Sequence, residues 1–227
     1  DHHTGMSEMI EAITADGVVL DTEGKSSPER QSAADKVRPG VIMYSEGMAV
    51  PKDMQGIVSG RVHNALYYPP LLNLNKFIRP DFAIFRVAEL YLEPIRREYA
   101  LSMFNGYGTE VNQFRPGHPN WVEEDYRFWG RTLRVLRENS SVFTQKQFLP
   151  MLATQRDSIY VNQWPGTNKT VFTLFSLQPA GYRGPLFETP QQSAHHVVDL
   201  WNHTEIKPLE KNGRWQIPVD LESFAQK

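Results

Sequence analysis

The chain has 227 residues, of which 40% are apolar and 11% aromatic, so it can bury the core of one or two domains. Its formal net charge of −2 gives no electrostatic reason to expect nucleic acid or an anionic membrane as a partner, and no apolar run is long enough to span a bilayer. It contains no cysteine, which excludes disulfides, a thiol nucleophile and a thiolate metal site.

The first elements predict a parallel β-α-β unit. Residues 2–13 carry apolar side chains at helical spacing, which predicts a helix. Two short apolar runs follow, at 17–20 and 41–44, and each is closed by a carboxylate and a glycine. The polar segment 26–36 between them predicts a crossover helix, with Pro28 suited to its first turn. Acids at the carboxyl ends of two such strands lie where α/β barrels keep their chemistry.

The elements from residue 51 to residue 138 continue this alternating pattern. We place the element boundaries at glycine and proline residues and where the spacing of apolar residues changes. The predicted series is a short helix over 51–58, an irregular loop over 60–75, a strand over 81–87, a crossover helix over 88–99, a strand over 100–104 and a long helix over 121–138.

The pattern of predicted elements changes after residue 140. Short β-rich segments separated by turn residues predict an antiparallel β-sandwich. These segments are 148–151, 158–163, 170–177, 196–200 and 215–219. The first region holds only about four strand–helix units, whereas a closed barrel of this type needs eight strands. We therefore expect an α/β region followed by an all-β region: residues 1–140 as the C-terminal half of a (β/α)8 barrel, and residues 141–227 as a β-sandwich domain.

Asp21 and Glu46 are the candidate catalytic residues. Neighbouring parallel strands lie roughly 4.8 Å apart, and retaining glycoside hydrolysis uses two carboxyl groups about 5–5.5 Å apart. Asp21, the shorter side chain, suits a nucleophile, and Glu46 suits the acid that protonates the leaving oxygen and later acts as base. Each acid could instead cap a helix or pair with an arginine. Two carboxylates and water suffice for this chemistry, so no metal or organic cofactor is expected.

Five further residues are candidates for contacts with a substrate. Glu23 lies close to Asp21 in the sequence. Tyr44 and Asn105, interpreted as residues near strand ends, could hydrogen-bond sugar hydroxyls, although packing or turn roles are equally consistent with their positions. His63 belongs to the long loop and could contribute to a wall against a sugar ring. Arg86 could anchor a substrate carboxylate or pair with a neighbouring acid.

These patterns resemble a family of enzymes. Leu20-Asp21-Thr22-Glu23 and Met43-Tyr44-Ser45-Glu46 resemble the ends of the fourth and fifth strands of barrel glycoside hydrolases of the α-amylase-like and endo-α-N-acetylgalactosaminidase-like type. The resemblance implies an Asp nucleophile at the first strand end and a Glu acid/base at the second. Val197-Val198-Asp199-Leu200-Trp201-Asn202 resembles the sandwich that follows such barrels. The chain departs from α-amylases proper at Val19, where they carry arginine, and it lacks their later His-Asp pair.

Two other interpretations remain open at this point. The run from Asp16 to Glu23 also resembles the strand motif of chitinase-like hydrolases, in which Glu23 would be the acid, Asp21 its helper and the substrate acetamide the nucleophile. Val19 stands where that motif has its first aspartate. In the third interpretation the chain is a carbohydrate-binding or assembly module whose acids are incidental.

The expected partners follow from the half-barrel. We expect a carbohydrate substrate and a further polypeptide segment, from the same gene product or from a companion chain, that completes the barrel. Neither nucleic acid nor a membrane is expected as a partner. A secreted or periplasmic location is favoured over a cytoplasmic one.

Overall fold

The computed structural model describes residues 2–23, 25–48, 54–62, 72, 74–89, 96–112, 122–192 and 194–223. Its helices are α1 (His2–Ile13), α2 (Pro28–Val37), α3 (Asn75–Ile78), α4 (Arg96–Phe104), α5 (Val122–Glu138) and α6 (Ser140–Phe143). Its strands are β1 (Gly17–Leu20), β2 (Ile42–Met48), β3 (Ser59–Val62), β4 (Ala83–Glu89), β5 (Gly108–Asn112), β6 (Ile159–Pro165), β7 (Thr170–Ser176), β8 (Tyr182–Pro190), β9 (Val197–Asp199), β10 (Thr204–Ile206), β11 (Leu209–Lys211) and β12 (Arg214–Leu221).

The chain divides into two compact units. The first comprises residues 1–88 and 107–112, and the second comprises residues 89–106 and 113–227. Helices α4 to α6 therefore group with the C-terminal strands by their contacts. The predicted domain boundary near residue 141 stays a prediction. No helix in the described ranges combines the length and apolar character needed to cross a lipid bilayer.

The first unit is built on one sheet whose strands follow chain order, β1-β2-β3-β4-β5, with β1 to β4 running parallel. The predicted β-α-β unit is confirmed in β1, α2 and β2. Helix α2 begins as its sequence predicts, because the Ser27 hydroxyl accepts a hydrogen bond from the Arg30 amide at 3.1 Å and Pro28 occupies its first turn.

The two faces of this sheet differ in character. Along the strands, alternate side chains turn to helices α1 and α2 and are buried with them, including Leu20, Met43 and Ile84. The intervening positions carry Tyr44 and Arg61, which are half-buried, and the opposite face therefore holds the polar groups of the unit.

Several predicted elements of the first half were wrong. Strand β3 lies in the region predicted to be an irregular loop, and residues 54–58 form a turn and extended chain instead of a helix. The predicted strand over 100–104 is part of helix α4, so Asn105 follows a helix and not a strand. A run of five mostly apolar residues fits a buried helix as well as a strand, and here Leu101 and Phe104 are fully buried at helical spacing. The sheet accordingly has five strands, with β5 as the last.

The second unit contains four of the five predicted antiparallel strands; the predicted strand over 148–151 was wrong, because that segment forms only an isolated bridge between Leu149 and Gln163. β6 pairs with β7, β8 and β11 both pair with β12, and β9 pairs with β10, all antiparallel. Buried residues of β6, β8 and β12 form one core between these sheets, with Val161, Phe187 and Ile217 among its members. Strand β8 was not predicted, because Gly184 and Pro185 interrupt its pattern of alternation.

Candidate active site

Strand register brings the two predicted catalytic carboxylates together. Gly17 pairs with Ile42 and Leu20 with Ser45, so the next residues along each strand, Asp21 and Glu46, face each other. Both lie at the carboxyl edge of the parallel sheet. The side chains of Asp21 and Glu46 are hydrogen-bonded to each other. One of the two carboxyl groups must carry the proton that is donated in this bond.

The backbone around the pair is irregular at both strands. Strand β1 ends abruptly because Thr22 has a φ of 60°, a conformation that is uncommon for a β-branched residue. The resulting turn directs the Thr22 amide at Glu46, to which it donates a hydrogen bond of 2.8 Å at Oε2. The Ser45 hydroxyl donates to the Glu23 carbonyl at 2.7 Å and ties the same turn to β2. The turn therefore holds Asp21 and Glu46 together.

Glu46 itself lies in a break of the β2–β3 pairing. Ser45 pairs with Gly60, but the next paired residue of β2 is Met48, opposite Arg61. An irregularity of this kind leaves residues of one strand unpaired and redirects a side chain, and such breaks occur preferentially beside active sites. Here it aims the Glu46 carboxylate towards Asp21 and Arg61.

Electrostatics at the pair favour the proton on Asp21. The hydrogen bond to Glu46, and then the negative field of Glu46, raise the pKa of Asp21 above its usual range. The Thr22 amide and the nearby Arg61 guanidinium act in the opposite direction and are outweighed. Glu46 accepts from both of those donors, which favours its ionised form.

Arg61 is the centre of a network that spans the sheet. Its Nε donates to the Tyr44 hydroxyl at 2.9 Å, Nη1 donates to Glu46 Oε1, and Nη2 donates to Glu110 Oε1 at 3.0 Å. The partners come from β2 and β5, on either side of β3. Three donors of one guanidinium are therefore used by three side chains, which fixes its orientation.

Tyr44 forms the apolar side of the same group. Its ring stacks on Phe85 of β4, with 5.2 Å between ring centroids. Burial is the main cause that raises the pKa of Tyr44 above its usual range, so its hydroxyl stays protonated near neutral pH. Tyr44 can therefore donate a hydrogen bond while it accepts one from Arg61.

The structure brings together three of the seven predicted site residues: Asp21, Glu46 and Tyr44. Glu23 lies two residues after Asp21 in the chain and forms an ion pair with Arg30 of α2, whose Nη2 donates to Glu23 Oε1 at 3.1 Å. The group formed by Asp21, Tyr44, Glu46, Arg61 and Glu110 is called the carboxylate cluster below.

The other three predicted contacts are placed elsewhere or lie outside the description. Asn105 is only 2% exposed, and its side-chain amide donates to the Leu101 carbonyl at 3.0 Å, which closes the end of α4. Its interpretation as a strand-end residue was wrong. Arg86 lies in β4 opposite Val62, and its side chain is outside the described part of the structure, as is all of His63.

Sequence reasoning missed Arg61 and Glu110. Arg61 lies in Ser59-Gly60-Arg61-Val62, a four-residue strand with little β-propensity, and Glu110 lies in a short strand that begins at Gly108, directly after the turn at Gly106. The signal that could have found them was the topology. The carboxyl ends of parallel strands lie at one edge of the sheet, so charged residues in every later strand were candidates for the same site.

No group of metal-binding side chains occurs among the described residues. A cavity of about 1130 Å³ lies within the second unit, where Phe172, Trp201 and Trp215 are among its lining residues. It contains none of the predicted site residues. The carboxylate cluster, on an open sheet face, is therefore the group in the described structure whose chemistry matches the sequence prediction.

Comparison with known proteins identifies the fold. No protein-family model matches the sequence, and no curated protein matches it significantly. Among solved structures, an Anoxybacillus α-amylase superposes with a TM-score of 0.62 at 10% identity, over 96% of this chain and 60% of that one. A debranching enzyme from Nostoc punctiforme gives 0.59 at 12% identity, over 97% and 60%, and a cyclomaltodextrinase gives 0.60 at 11% identity, over 95% and 45%.

The chain thus spans between 45% and 60% of the length of these structures. At such low identity the likeness establishes the fold alone. It confirms, at that level, the resemblance to an α-amylase-like glycoside hydrolase that the strand-end motifs predicted. Nearly the whole of this chain has the fold of a corresponding part of the α-amylase-type glycoside hydrolases.

Proposed function

We propose that the chain is part of a retaining glycoside hydrolase in which Asp21 is the nucleophile and Glu46 is the acid/base. The observation that carries this proposal is the strand register that brings two carboxyl groups together at the carboxyl ends of neighbouring parallel strands, where their interaction raises the pKa of Asp21. Like-charged groups this close are costly to keep ionised, and proteins place such pairs where chemistry needs them.

The closeness of the pair favours retention over inversion. Inverting enzymes separate their carboxyl groups by about 6.5–9.5 Å to admit a water molecule, whereas retaining enzymes keep them about 5–5.5 Å apart. Hydrogen-bonded carboxyl groups lie on the retaining side of this division. Proteins of the same fold include an α-amylase, a debranching enzyme, and AmyP, which binds maltose and maltotriose, and this supports a carbohydrate substrate.

The first chemical step would form a covalent glycosyl-enzyme. Asp21 attacks the anomeric carbon as the bond to the leaving-group oxygen breaks, and Glu46 donates a proton to that oxygen. In the second step Glu46 removes a proton from water, which attacks the same carbon and releases Asp21. Tyr44, with a protonated hydroxyl beside Glu46, is placed to hydrogen-bond a sugar hydroxyl.

The raised pKa of Asp21 in the ligand-free pair is opposite to what the reaction requires. Attack needs Asp21 ionised and Glu46 protonated, whereas the contact with Glu46 favours the protonated form of Asp21. A sugar inserted between the two groups would break their hydrogen bond, and the proton must then pass to Glu46. Once Asp21 is glycosylated its charge is gone, so Glu46 loses its proton more easily and can act as base.

We further propose that the first unit is the C-terminal half of a (β/α)8 barrel. Two pairs of side chains from strands that are not neighbours meet on the polar face, Tyr44 with Phe85 and Arg61 with Glu110. Strands two apart in a flat sheet are separated by about 10 Å, so these contacts indicate a concave face like a barrel interior. Val19 and Ile42 on this face are 61% and 51% exposed, and further strands would cover them.

The chitinase-like alternative is not favoured. It requires Glu23 as the free acid, but Glu23 is bound through both carboxylate oxygens to Arg30. A carbohydrate-binding module without catalysis would leave the Asp21–Glu46 pair without a role. Binding of maltotriose by the full-length protein without any turnover would favour that module.

Covalent trapping tests the proposal directly. The full-length gene product is incubated with 2-deoxy-2-fluoroglycosyl fluorides, which form the glycosyl-enzyme but hydrolyse slowly, and peptides are then analysed by mass spectrometry. We expect the added mass on the peptide that contains Asp21, and its absence in Asp21→Asn. A label on Glu23 or Glu46, or turnover with inversion of configuration seen by NMR, would overturn the assignment.

A further inference from the structure

The position of Arg61 has consequences beyond those of a packing ion pair. On β1 the residue that precedes Asp21 on the polar face is Val19, so this strand offers the pair no cation. Arg61 reaches the pair from β3 instead and contacts Glu46. Its other carboxylate partner, Glu110, is 30% exposed, and Glu46 is 28% exposed, so both carboxylates keep some contact with water.

We propose that Arg61 is the positioning residue that decides which member of the Asp21–Glu46 pair carries the proton. Glu110 sets the strength of this effect by binding the same guanidinium. This inference rests on the proposed function of the pair. The Arg61 guanidinium donates to Glu46 Oε1 and the Thr22 amide donates to Oε2, and the two donors favour the arrangement in which Glu46 accepts and Asp21 donates.

Among the described residues, the charged and titratable groups that interact with the pair come from three strands. They are Tyr44 on the strand of Glu46, Arg61 on β3 and Glu110 on β5. Arg61 supplies the positive charge in this set. Glu110 competes with Glu46 for it, because both accept from the same guanidinium. Removing Arg61 and removing Glu110 should therefore have opposite effects on the pair.

A merely structural role predicts a different result. If Arg61 only joined β2 to β5, its loss and the loss of Glu110 would loosen the same contact and change the pair in the same direction. Changes of opposite sign follow if the two residues act on the pair through their charges, because loss of a cation raises a carboxyl pKa and loss of an anion lowers it. The sign of the effect therefore separates the two roles more sharply than its size.

The experiment measures carboxyl titration by carbon-13 NMR in the full-length gene product and compares it with the pH–rate profile. In Arg61→Met the upper apparent pKa of the pair should rise by roughly one unit, the low end of the range for a lost opposite charge, because water partly screens the site. In Glu110→Gln it should fall. The alkaline limb of kcat/KM should move in the same direction in each variant.

A matched control and a second variant keep the test decisive. Arg38→Met removes an arginine paired with Asp16 near the start of β1 and should leave the titration of the pair unchanged. If Arg61→Met does not fold, as judged by circular dichroism, Glu110→Gln still tests the sign. An upper pKa in Glu110→Gln that is equal to or above that of the control would overturn the proposal.

Failure of this inference can be distinguished from failure of the proposed function. The titration needs no substrate, so opposite shifts in a protein that cleaves no glycoside would support the role of Arg61 and refute the hydrolase. Trapping on Asp21 together with an unchanged titration in both variants would support the hydrolase and refute the role of Arg61.

Discussion

Two arginines in this protein each join a pair of carboxylates, and only one of them belongs to a candidate active site. Arg61 bridges Glu46 and Glu110 in the first unit, and Arg96 of α4 bridges Glu124 and Asp125 in the second. Asp125 is 1% exposed, and its neighbour Glu124 lies on the surface. The chemistry of the two ion pairs is the same, so their surroundings must account for the difference.

The surroundings differ in what lies next to the ion pair. Arg96 lies between two helices that pack through aromatic rings, with Tyr99 and Trp129 6.2 Å apart, and its acids are consecutive residues of one helix. Arg61 lies on an open sheet face and its acids come from different strands, with the carboxyl group of Asp21 hydrogen-bonded to one of them. A closed ion pair holds helices together, whereas an open one with a second carboxyl group can exchange protons with a ligand.

The largest expected difference is in turnover. Asp21→Asn removes the nucleophile and should lower kcat by several orders of magnitude, and Glu46→Gln should lower it by roughly 10²–10⁴-fold, the usual contribution of a general acid. Asp125→Asn makes the same chemical change in the other ion pair and should preserve kcat per folded molecule. Steady-state kinetics on an aryl glycoside measures all three. Rates within tenfold of the unmodified protein for either site variant would contradict the comparison.

The second expected difference is in stability. Arg96→Met leaves Asp125 buried without its cation and should lower the free energy of unfolding of the second unit by about 2 kcal/mol, less than for a fully buried pair because Arg96 is partly exposed. Arg61→Met should cost under about 1 kcal/mol, since its partners contact water. All five tryptophans of the chain lie in the second unit.

Tryptophan fluorescence during urea denaturation therefore reports on the second unit alone. The transition should move to lower urea in Arg96→Met and stay in place in Arg61→Met. An unchanged transition in Arg96→Met would contradict the structural role of its ion pair.

The smallest expected effect is on the pH dependence of stability in the first unit. The pKa of Asp21 is raised in the folded state. The stabilisation that this group contributes to the folded state is therefore fully present below the ordinary pKa of 3.8 and is lost as the pH rises through the folded-state pKa. Asp21→Asn should abolish this loss and make the first unit slightly more stable at neutral pH. Hydrogen exchange of peptides from residues 2–48 at several pH values measures it. A larger loss with rising pH in Asp21→Asn would contradict the raised pKa.

The β-α-β unit could be predicted because its signals are local. Alternating apolar residues, Pro28 at a helix start and a carboxylate at each strand end are properties of short segments. Strand β3 and the helical state of residues 100–104 could not be predicted in this way. Ser59–Val62 has no apolar alternation, and it becomes a strand because β2 and β4 on either side supply its hydrogen bonds.

Some residues of the candidate site could likewise be predicted from local signals, and others could not. Asp21 and Glu46 were found because adjacent strands with a short crossover must be neighbours, and their register then follows from the buried face. Arg61 and Glu110 were missed because their contact joins β3 and β5, which are two strands apart in the sheet and far apart in the chain. Asn105 was misplaced because the segment before it was assigned to the wrong type of element.

The sequence by itself determined the order of the elements at the start of the chain, the two acids at neighbouring strand ends and the change to antiparallel strands after residue 140. These follow from periodicity and turn chemistry, which act over a few residues. Only the tertiary structure brought Arg61 and Glu110 to the two acids and raised the pKa of Asp21 through its contact with Glu46. Protonation depends on which charges lie nearby in space, and separation along the chain does not predict this. Glu46 lies nearer to Arg38 in the sequence, yet the fold brings it to Arg61.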